Sequence, residues 1–414
     1  MATRSNPSAA SSTPNYTVPF IIVTALFGIF GFLTSLNNQL VGKLKETFTL
    51  GYGPAMLATA AWFLAYLVFS VPSGKLIEKV GYKKTMVISL FIMVAGALAF
   101  VPAANQVSFP LTLGAIFLLA TGVCALQTSA NPYAAILGPE HSAALRVNLA
   151  QAFNSGASAL APVVATVFIL TGASNRGSAT EQAHMLIVPY IVIAAALFVL
   201  GFLVMGLHLP TVNLTRAFRP SDANAADERS IWSYRHVVLG MIGIFFYVGD
   251  EIALAAIGVR FAQEQGIRDL KVAGFLVTVY YLLIMVGRFI GSALMTKIKP
   301  EKLLVVLGIF GVLLMVAGML LTGPMAVGCL VMCGLANSIM YPTIFALGIA
   351  ELGPLTSKGS GVITIGNVGG AVIPPLFGLM ADRMGIQHAF VLIIVCYAFV
   401  VYYGLSGYKP HRAA

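Results

Sequence analysis

Three formal charges fall deep inside apolar stretches of this chain: Asp250, Glu251 and Arg288. An ionisable side chain in hydrocarbon costs at least about 2.5 kcal/mol, so each marks a functional position by default. A carboxyl held there can take up and release a proton, and Glu251 is the first candidate for that role. Asp250, its neighbour, points about 100° away around a helix and ranks second. The bland reading of Glu251 is a structural carboxylate held by hydrogen bonds. Arg288 can pair with an acid or with carbonyls, gate a conformational change, or snorkel to the membrane surface.

Neutral amides form a larger set: Asn37, Asn38, Gln127, Asn131, Asn148, Gln151, Asn154, Asn337 and Asn367. An amide both donates and accepts hydrogen bonds, which suits a ligand with vicinal hydroxyls. For any one of them an interhelical hydrogen bond is an equally good account. Of the aromatic candidates Tyr133, Phe153, Tyr247, Tyr280, Tyr281 and Tyr341, we favour Tyr247 and Tyr341 as faces for apolar ligand surface. The histidines make no metal-ligand cluster, and Cys124, Cys329, Cys333 and Cys396 form no CxxC pair. No metal and no organic cofactor is expected.

These residues must be positioned by membrane helices. Of 414 residues, 58% are hydrophobic and only 9% charged, with mean hydropathy +0.91. Ordinary soluble proteins are about one quarter charged. The composition excludes a soluble enzyme, a disordered chain and a nucleic-acid binder. Apolar stretches long enough to span a bilayer recur twelve times, near 18–42, 53–77, 83–103, 108–137, 143–172, 184–208, 233–261, 271–296, 301–321, 324–350, 356–381 and 386–407. Their length and continuity predict helices, since barrel strands are short and alternating.

The expected organisation is a disordered tail (1–17), a six-helix bundle (18–208), a polar linker (209–231), a second six-helix bundle (232–408) and a short tail (409–414). Most of the 24 Lys and Arg residues lie on the side of the termini, among them Lys75, Lys79, Lys83, Lys84, Arg216, Arg219, Arg229, Lys297, Lys299 and Lys302. The net charge of +10 is therefore read as orientation, with termini and linker cytoplasmic and the chain in the cell (inner) membrane.

The halves repeat one another. Pro132 to Leu137-Gly138 and Pro342 to Leu347-Gly348 share one spacing, and Asn154-Ser155-Gly156 with Pro162 resembles Asn367-Val368-Gly369 with Pro374. Such repeats are typical of transporters whose site lies at the midplane between two halves.

Between the second and third stretches the chain reads Gly74-Lys75-Leu76-Ile77-Glu78-Lys79-Val80-Gly81-Tyr82-Lys83-Lys84. This resembles the G-x-x-x-D-R-x-G-R-R/K signature of the major facilitator superfamily, and implies a conformational gate at Gly74, Glu78, Lys79, Gly81 and Lys83, with Arg288 added from its charge. Leu126-Gln127-Thr128-Ser129-Ala130-Asn131-Pro132-Tyr133, Arg146-Val147-Asn148-Leu149-Ala150-Gln151-Ala152-Phe153-Asn154-Ser155 and Tyr341-Pro342-Thr343-Ile344-Phe345-Ala346-Leu347-Gly348 narrow the match. They closely resemble the fucose–galactose–glucose symporter family.

The resemblance implies an all-α major facilitator fold of twelve transmembrane helices, and proton-coupled uptake of a neutral hexose by a monomer. It singles out Gln127, Gln151, Asn154 and Asn38 among the substrate-binding candidates, with Asn131, Asn337, Asn367, Tyr247 and Tyr341 beside them. One departure stands out. Family members usually read Leu-Asn-Asp in the first helix, where this chain has Leu36-Asn37-Asn38. Two accounts of Asn38 stand. Either it is natural, with coupling moved to Asp250 or Glu251 or lost, or an engineered Asp-to-Asn change mimics the protonated state. Sodium coupling, uncoupled sugar transport and a drug/proton antiporter of the same fold are the alternatives. A membrane-embedded enzyme would need a cluster of His, Asp or Cys, and none is found.

Overall fold

The computed structural model describes residues 16–47, 52–164, 187–207 and 230–410; side chains at 33, 36–47, 52–56 and 161–164 are outside the description. The linker 209–231 and both tails expected from the sequence fall almost wholly outside these residues.

Among the described residues every long apolar run is helical, because only a helix satisfies its own backbone groups within lipid. The first six are α1 (Thr17–Thr47), α2 (Tyr52–Val80), α3 (Tyr82–Asn105), α4 (Phe109–Ile136), α5 (Ala143–Val164) and α6 (Ile187–Gly206). The second six are α7 (Arg235–Glu264), α8 (Leu270–Leu294), α9 (Pro300–Leu320), α10 (Pro324–Gly348), α11 (Gly353–Met384) and α12 (Ile386–Gly407). Ten of them are long and apolar enough to cross a membrane within the described residues alone, and α1 and α5 complete the twelve. Their N-termini use the expected devices: Asp269 caps α8 by accepting from the Lys271 N–H at 2.8 Å, and Pro300 and Pro324 open α9 and α10.

The stretch Gly74–Lys84, expected between the second and third helices, is helical except at Gly81. Nothing before Gly81 breaks a helix, and its charged side chains lie at helix ends where they reach polar surroundings. At Gly81 and at Gly385 one helix passes into the next through a single residue, with φ of 85° and 84°. Glycine adopts that left-handed conformation without the steric penalty of a Cβ.

Within the first half α3 packs on α4 and α6, α1 on α5, and α2 on α4; within the second, α9 packs on α10 and α12, α8 on α10, and α7 on α11. The halves meet where α5 lies against α8 and α10, and where α2 and α4 lie against α11. These contacts concentrate at the face where α2 ends and α11 begins. That face carries Lys75, Lys79, Lys83, Lys84, Lys297, Lys299, Lys302 and Lys358, and is called the basic face below.

Two helices carry prolines with a direct structural consequence. Pro132 in α4 and Pro342 in α10 have no N–H, so the carbonyls four residues earlier, at Thr128 and Ser338, lose their helical donors. At Ser338–Ile339 α10 is interrupted, dividing into Pro324–Asn337 and Met340–Gly348. The matching prolines noticed in the sequence thus release one carbonyl in each half, and the site is built around both.

Candidate functional site

The freed Ser338 carbonyl accepts from Arg288 Nε at 2.9 Å. Arg288 is 5% exposed. From α8 its Nη1 crosses to the other half, donating to the Gln151 carbonyl at 2.9 Å and to Ser155 Oγ, both on α5. Its Nη2 lies 3.5 Å from the Tyr247 hydroxyl on α7. Asn148, one turn from Gln151, donates to the Arg288 carbonyl and to Ser292 Oγ, both at 2.8 Å. The guanidinium therefore ties α5 to α8 and α10. The other freed carbonyl, at Thr128, accepts from Ser360 Oγ of α11 at 2.6 Å, again across the seam.

Beside this tie lies a cluster of neutral polar groups drawn from both halves. Gln151 Nε2 donates to Asn131 Oδ1 at 3.2 Å, and Asn131 Nδ2 reaches the Tyr341 hydroxyl at 3.5 Å. The Tyr341 hydroxyl also meets the Asn367 side chain, and Tyr247 and Tyr341 pack with ring centroids 6.1 Å apart. Gln127, one turn from Asn131, is buried, and its Oε1 has no hydrogen-bond partner among the described residues. Amide acceptors and donors with two tyrosine faces can grip hydroxyls and stack on an apolar ring face.

The structure thus brings Gln127, Asn131, Gln151, Tyr247, Tyr341 and Asn367 together. It sets Asn154 and Asn337 apart. Asn154 Nδ2 donates to the Phe27 carbonyl at 3.0 Å and joins α5 to α1. Asn337 lies among Asp250, Tyr280 and Tyr397 inside the second half. Asn37 and Asn38 lie within α1, but their side chains fall outside the description. The two α7 acids separate as their 100° offset implies: Glu251 is partly buried and receives the Tyr247 hydroxyl within electrostatic reach of Arg288, whereas Asp250 is fully buried.

On the basic face, Glu78 pairs with Lys358 of α11 at 3.5 Å, and Tyr82 Oη lies 3.3 Å from Ser357 Oγ. Lys83 instead donates to the Met205 carbonyl within its own half at 2.8 Å, and Lys79 is exposed. Glu78 and Lys358 are 31% and 44% exposed, and an ion pair so hydrated contributes about 0–1 kcal/mol. Glu78→Gln is expected to shift the balance between open and closed forms of this face less than five-fold, measured by the distance between spin labels placed on the two halves.

A crevice lined by Ala135, Glu140, His141, Pro300, Ala346 and Thr356 remains between the halves on the basic face and contains none of the expected substrate residues. Glu140 there is pushed above the ordinary carboxylate range, first by burial and then by the Glu351 charge, with the Glu351 backbone N–H opposing.

Sequence reasoning missed Ser155, Ser338, Ser357, Ser360 and Lys358. The carbonyl acceptors had one legible signal, the two prolines. The serines had none, being indistinguishable from the many small residues of apolar helices.

The Major Facilitator Superfamily profile matches residues 20–371. The chain is similar to a protein named glucose/galactose transporter from Brucella abortus biovar 1 (strain 9-941), 39% identical over 403 residues and 96% of each chain. It is also similar to one named L-fucose-proton symporter from Escherichia coli (strain K12), 30% identical over 412 residues, 94% of this chain and 93% of that one. The crystal structure of FucP, a transporter of the same superfamily in the outward conformation, matches with a TM-score of 0.84 at 28% identity, over 95% of this chain and 99% of that one.

Proposed function

The chain belongs to the Major Facilitator Superfamily, and from that membership we propose that it is a secondary transporter taking up a neutral hexose of the glucose or galactose type together with protons. It is a multi-pass membrane protein and a transporter, not an enzyme. The observation that carries the substrate class is the cluster of Gln127, Asn131, Gln151, Tyr341 and Asn367: neutral amides and a phenol contributed by both halves, without a carboxylate among them. A cationic drug would call for an acid at that position, whereas vicinal hydroxyls are matched by groups that donate and accept together. The similarity to proteins named glucose/galactose transporter supports the same reading.

Alternating access follows from the seam. With the two halves in contact at the basic face, substrate reaches the cluster from the opposite side, and rocking of the halves about the midplane exchanges the two. The excess of Lys and Arg on the basic face supports a cytoplasmic position for it, for both termini and for the 209–231 linker, with the chain in the cell's inner membrane. The transporter works as a monomer in the bilayer and needs no organic cofactor. The coupling ion is H⁺, with Na⁺ the alternative, and the α7 acids take the role that the first helix cannot perform with Asn38. Glu251 is the port, being partly exposed and beside Tyr247 and Arg288, and Asp250 stands behind it.

Counterflow in proteoliposomes over glucose, galactose, fucose, mannose and fructose tests the substrate class. Exchange of at least one of these above protein-free vesicles is expected; exchange of organic cations without any hexose would overturn the reading. Glu251→Gln is expected to reduce sugar-driven proton uptake at least ten-fold, read with a pH-sensitive dye inside the vesicles, and unchanged coupling would remove Glu251 from the role.

A further inference from the structure

Asp250 has no exposed surface, and its surroundings are unlike those of every other acid described. Its Oδ1 accepts from Asn337 Nδ2 at 2.9 Å. The same nitrogen donates to the Tyr280 hydroxyl at 2.9 Å, and Asn337 Oδ1 accepts from the Tyr397 hydroxyl at 2.8 Å. Asp250 Oδ2 has no hydrogen-bond partner among the described residues. Asn337, Tyr280 and Tyr397 are themselves fully buried.

The titratable groups around it are Glu251 on its own helix, Tyr280 from α8, Cys333 from α10, and Cys396 and Tyr397 from α12. None of these is a cation at neutral pH. On the side of α11 the helices touch through Gly249, Ile373 and Gly369, which bring no charge. Arg288 is spent on carbonyls, Ser155 and Tyr247. An ionised carboxylate with one bare oxygen and no cation is a poor tenant of so dry a place. A carboxyl carrying hydrogen on Oδ2 is a good one: Oδ1 remains the acceptor that Asn337 already uses.

We propose that Asp250 is a proton-binding site, distinct from the amide cluster, that is occupied while the basic face is closed. Its occupancy is read by α10. Asn337, which holds Asp250, immediately precedes Ser338, whose carbonyl holds Arg288, and the two sit at the interruption of α10 that Pro342 creates. Loss of the proton from Asp250 leaves a charge that Asn337 alone cannot satisfy. Movement of Asn337 to solvate it moves Ser338, and with it the arginine that ties α5 across the seam. Sodium fits less well, because among the described residues the carboxylate's one hydrogen-bond partner is the Asn337 Nδ2 donor, while a hard cation calls for several oxygens.

This inference deepens the proton-symport reading and rests on it for its purpose, but its test does not require sugar. Infrared difference spectroscopy of the purified full chain in lipid, in light and heavy water, reports the protonated-carboxyl stretch. A band present at neutral pH is expected to vanish in Asp250→Asn and to persist in Glu251→Gln. A second variant, Tyr397→Phe, leaves Asp250 in place but frees the Asn337 carbonyl, and is expected to shift the band without abolishing it. It keeps the inference testable if Asp250→Asn does not fold. A band that survives Asp250→Asn, that is insensitive to Tyr397→Phe, or that disappears on replacing choline by sodium at fixed pH would overturn the proposal. Failure of hexose counterflow, by contrast, would overturn the transport reading and leave this one standing.

Discussion

Arg288→Ala is expected to depopulate the form closed on the basic face by about a hundred-fold. The guanidinium makes two bonds within its own half, to the Ser338 carbonyl and toward the Tyr247 hydroxyl, and two across the seam, to the Gln151 carbonyl and Ser155 Oγ. Hydrogen bonds to a charged group contribute roughly 1.5–3 kcal/mol each. Those between membrane helices run weaker, averaging about 0.6 kcal/mol for neutral pairs. Taking the low end for the two crossing bonds gives about 3 kcal/mol, or two powers of ten at about 1.4 kcal/mol each.

Only the crossing pair discriminates between the open and closed forms, so the loss falls on the equilibrium between them as well as on folding. Spin labels at Lys79 and Lys302, on opposite halves of the basic face, are expected to move apart in the variant. An unchanged distance distribution would show that the tie does not govern closure. Arg288→Lys is expected to fall between wild type and alanine, because an ammonium keeps the charge but cannot match the planar fork that serves four separate acceptors. Sugar affinity is expected to weaken in parallel, since the α5 turn that Arg288 holds is the one that aims Gln151 at Asn131.

The twelve helices were legible because lipid imposes length and apolarity, both countable along a chain. The repeated prolines were legible too, and so was the isolation of Asp250, Glu251 and Arg288. Their partners were not. Arg288 finds backbone carbonyls and a serine rather than an acid, and a carbonyl is carried by every residue, so no residue type announces it. Asn154 looked like Gln151 in the sequence, three positions away on the same helix, yet it turns to the Phe27 carbonyl while Gln151 turns to Asn131. Which amide faces the middle depends on how α1 and α5 rotate against each other, and that is decided by packing outside the motif. The order of the α7 acids shows the same limit. Adjacent in sequence, they are sent by their 100° offset to different neighbours. Glu251 gains the Tyr247 phenol within electrostatic reach of Arg288, while Asp250 gains the amide of Asn337, which sequence reasoning had assigned to the substrate.

Gly361→Val is expected to open the basic face about thirty-fold relative to wild type while leaving each half folded. A Cβ on Gly361 would stand 2.8 Å from the Ser70 carbonyl and 3.4 Å from the Cα atoms of Val71 and Gly74, and a Cβ on Gly74 would stand 2.7 Å from the Ser357 carbonyl. Every one of these contacts runs between α2 and α11, across the seam. The obstacle is backbone, so no side-chain rotation relieves it, and overpacking of this kind costs about 1–3 kcal/mol.

Separation of α2 from α11 also removes what lies beside the contact: Ser360 Oγ on the Thr128 carbonyl, Tyr82 against Ser357, and Glu78 against Lys358. In the open form the two helices are apart and valine meets no obstacle, so the strain biases the equilibrium without entering the core of either half. The thermal midpoint is therefore expected to move by only a few degrees, while spin labels across the basic face separate and uptake falls. Gly378, on the same helix, has open space where its Cβ would lie. Gly378→Val is expected to leave label distance and uptake near wild type. Equal effects of the two substitutions would mean that α11 responds to lost helix flexibility, and that its close approach to α2 is incidental to closing the face.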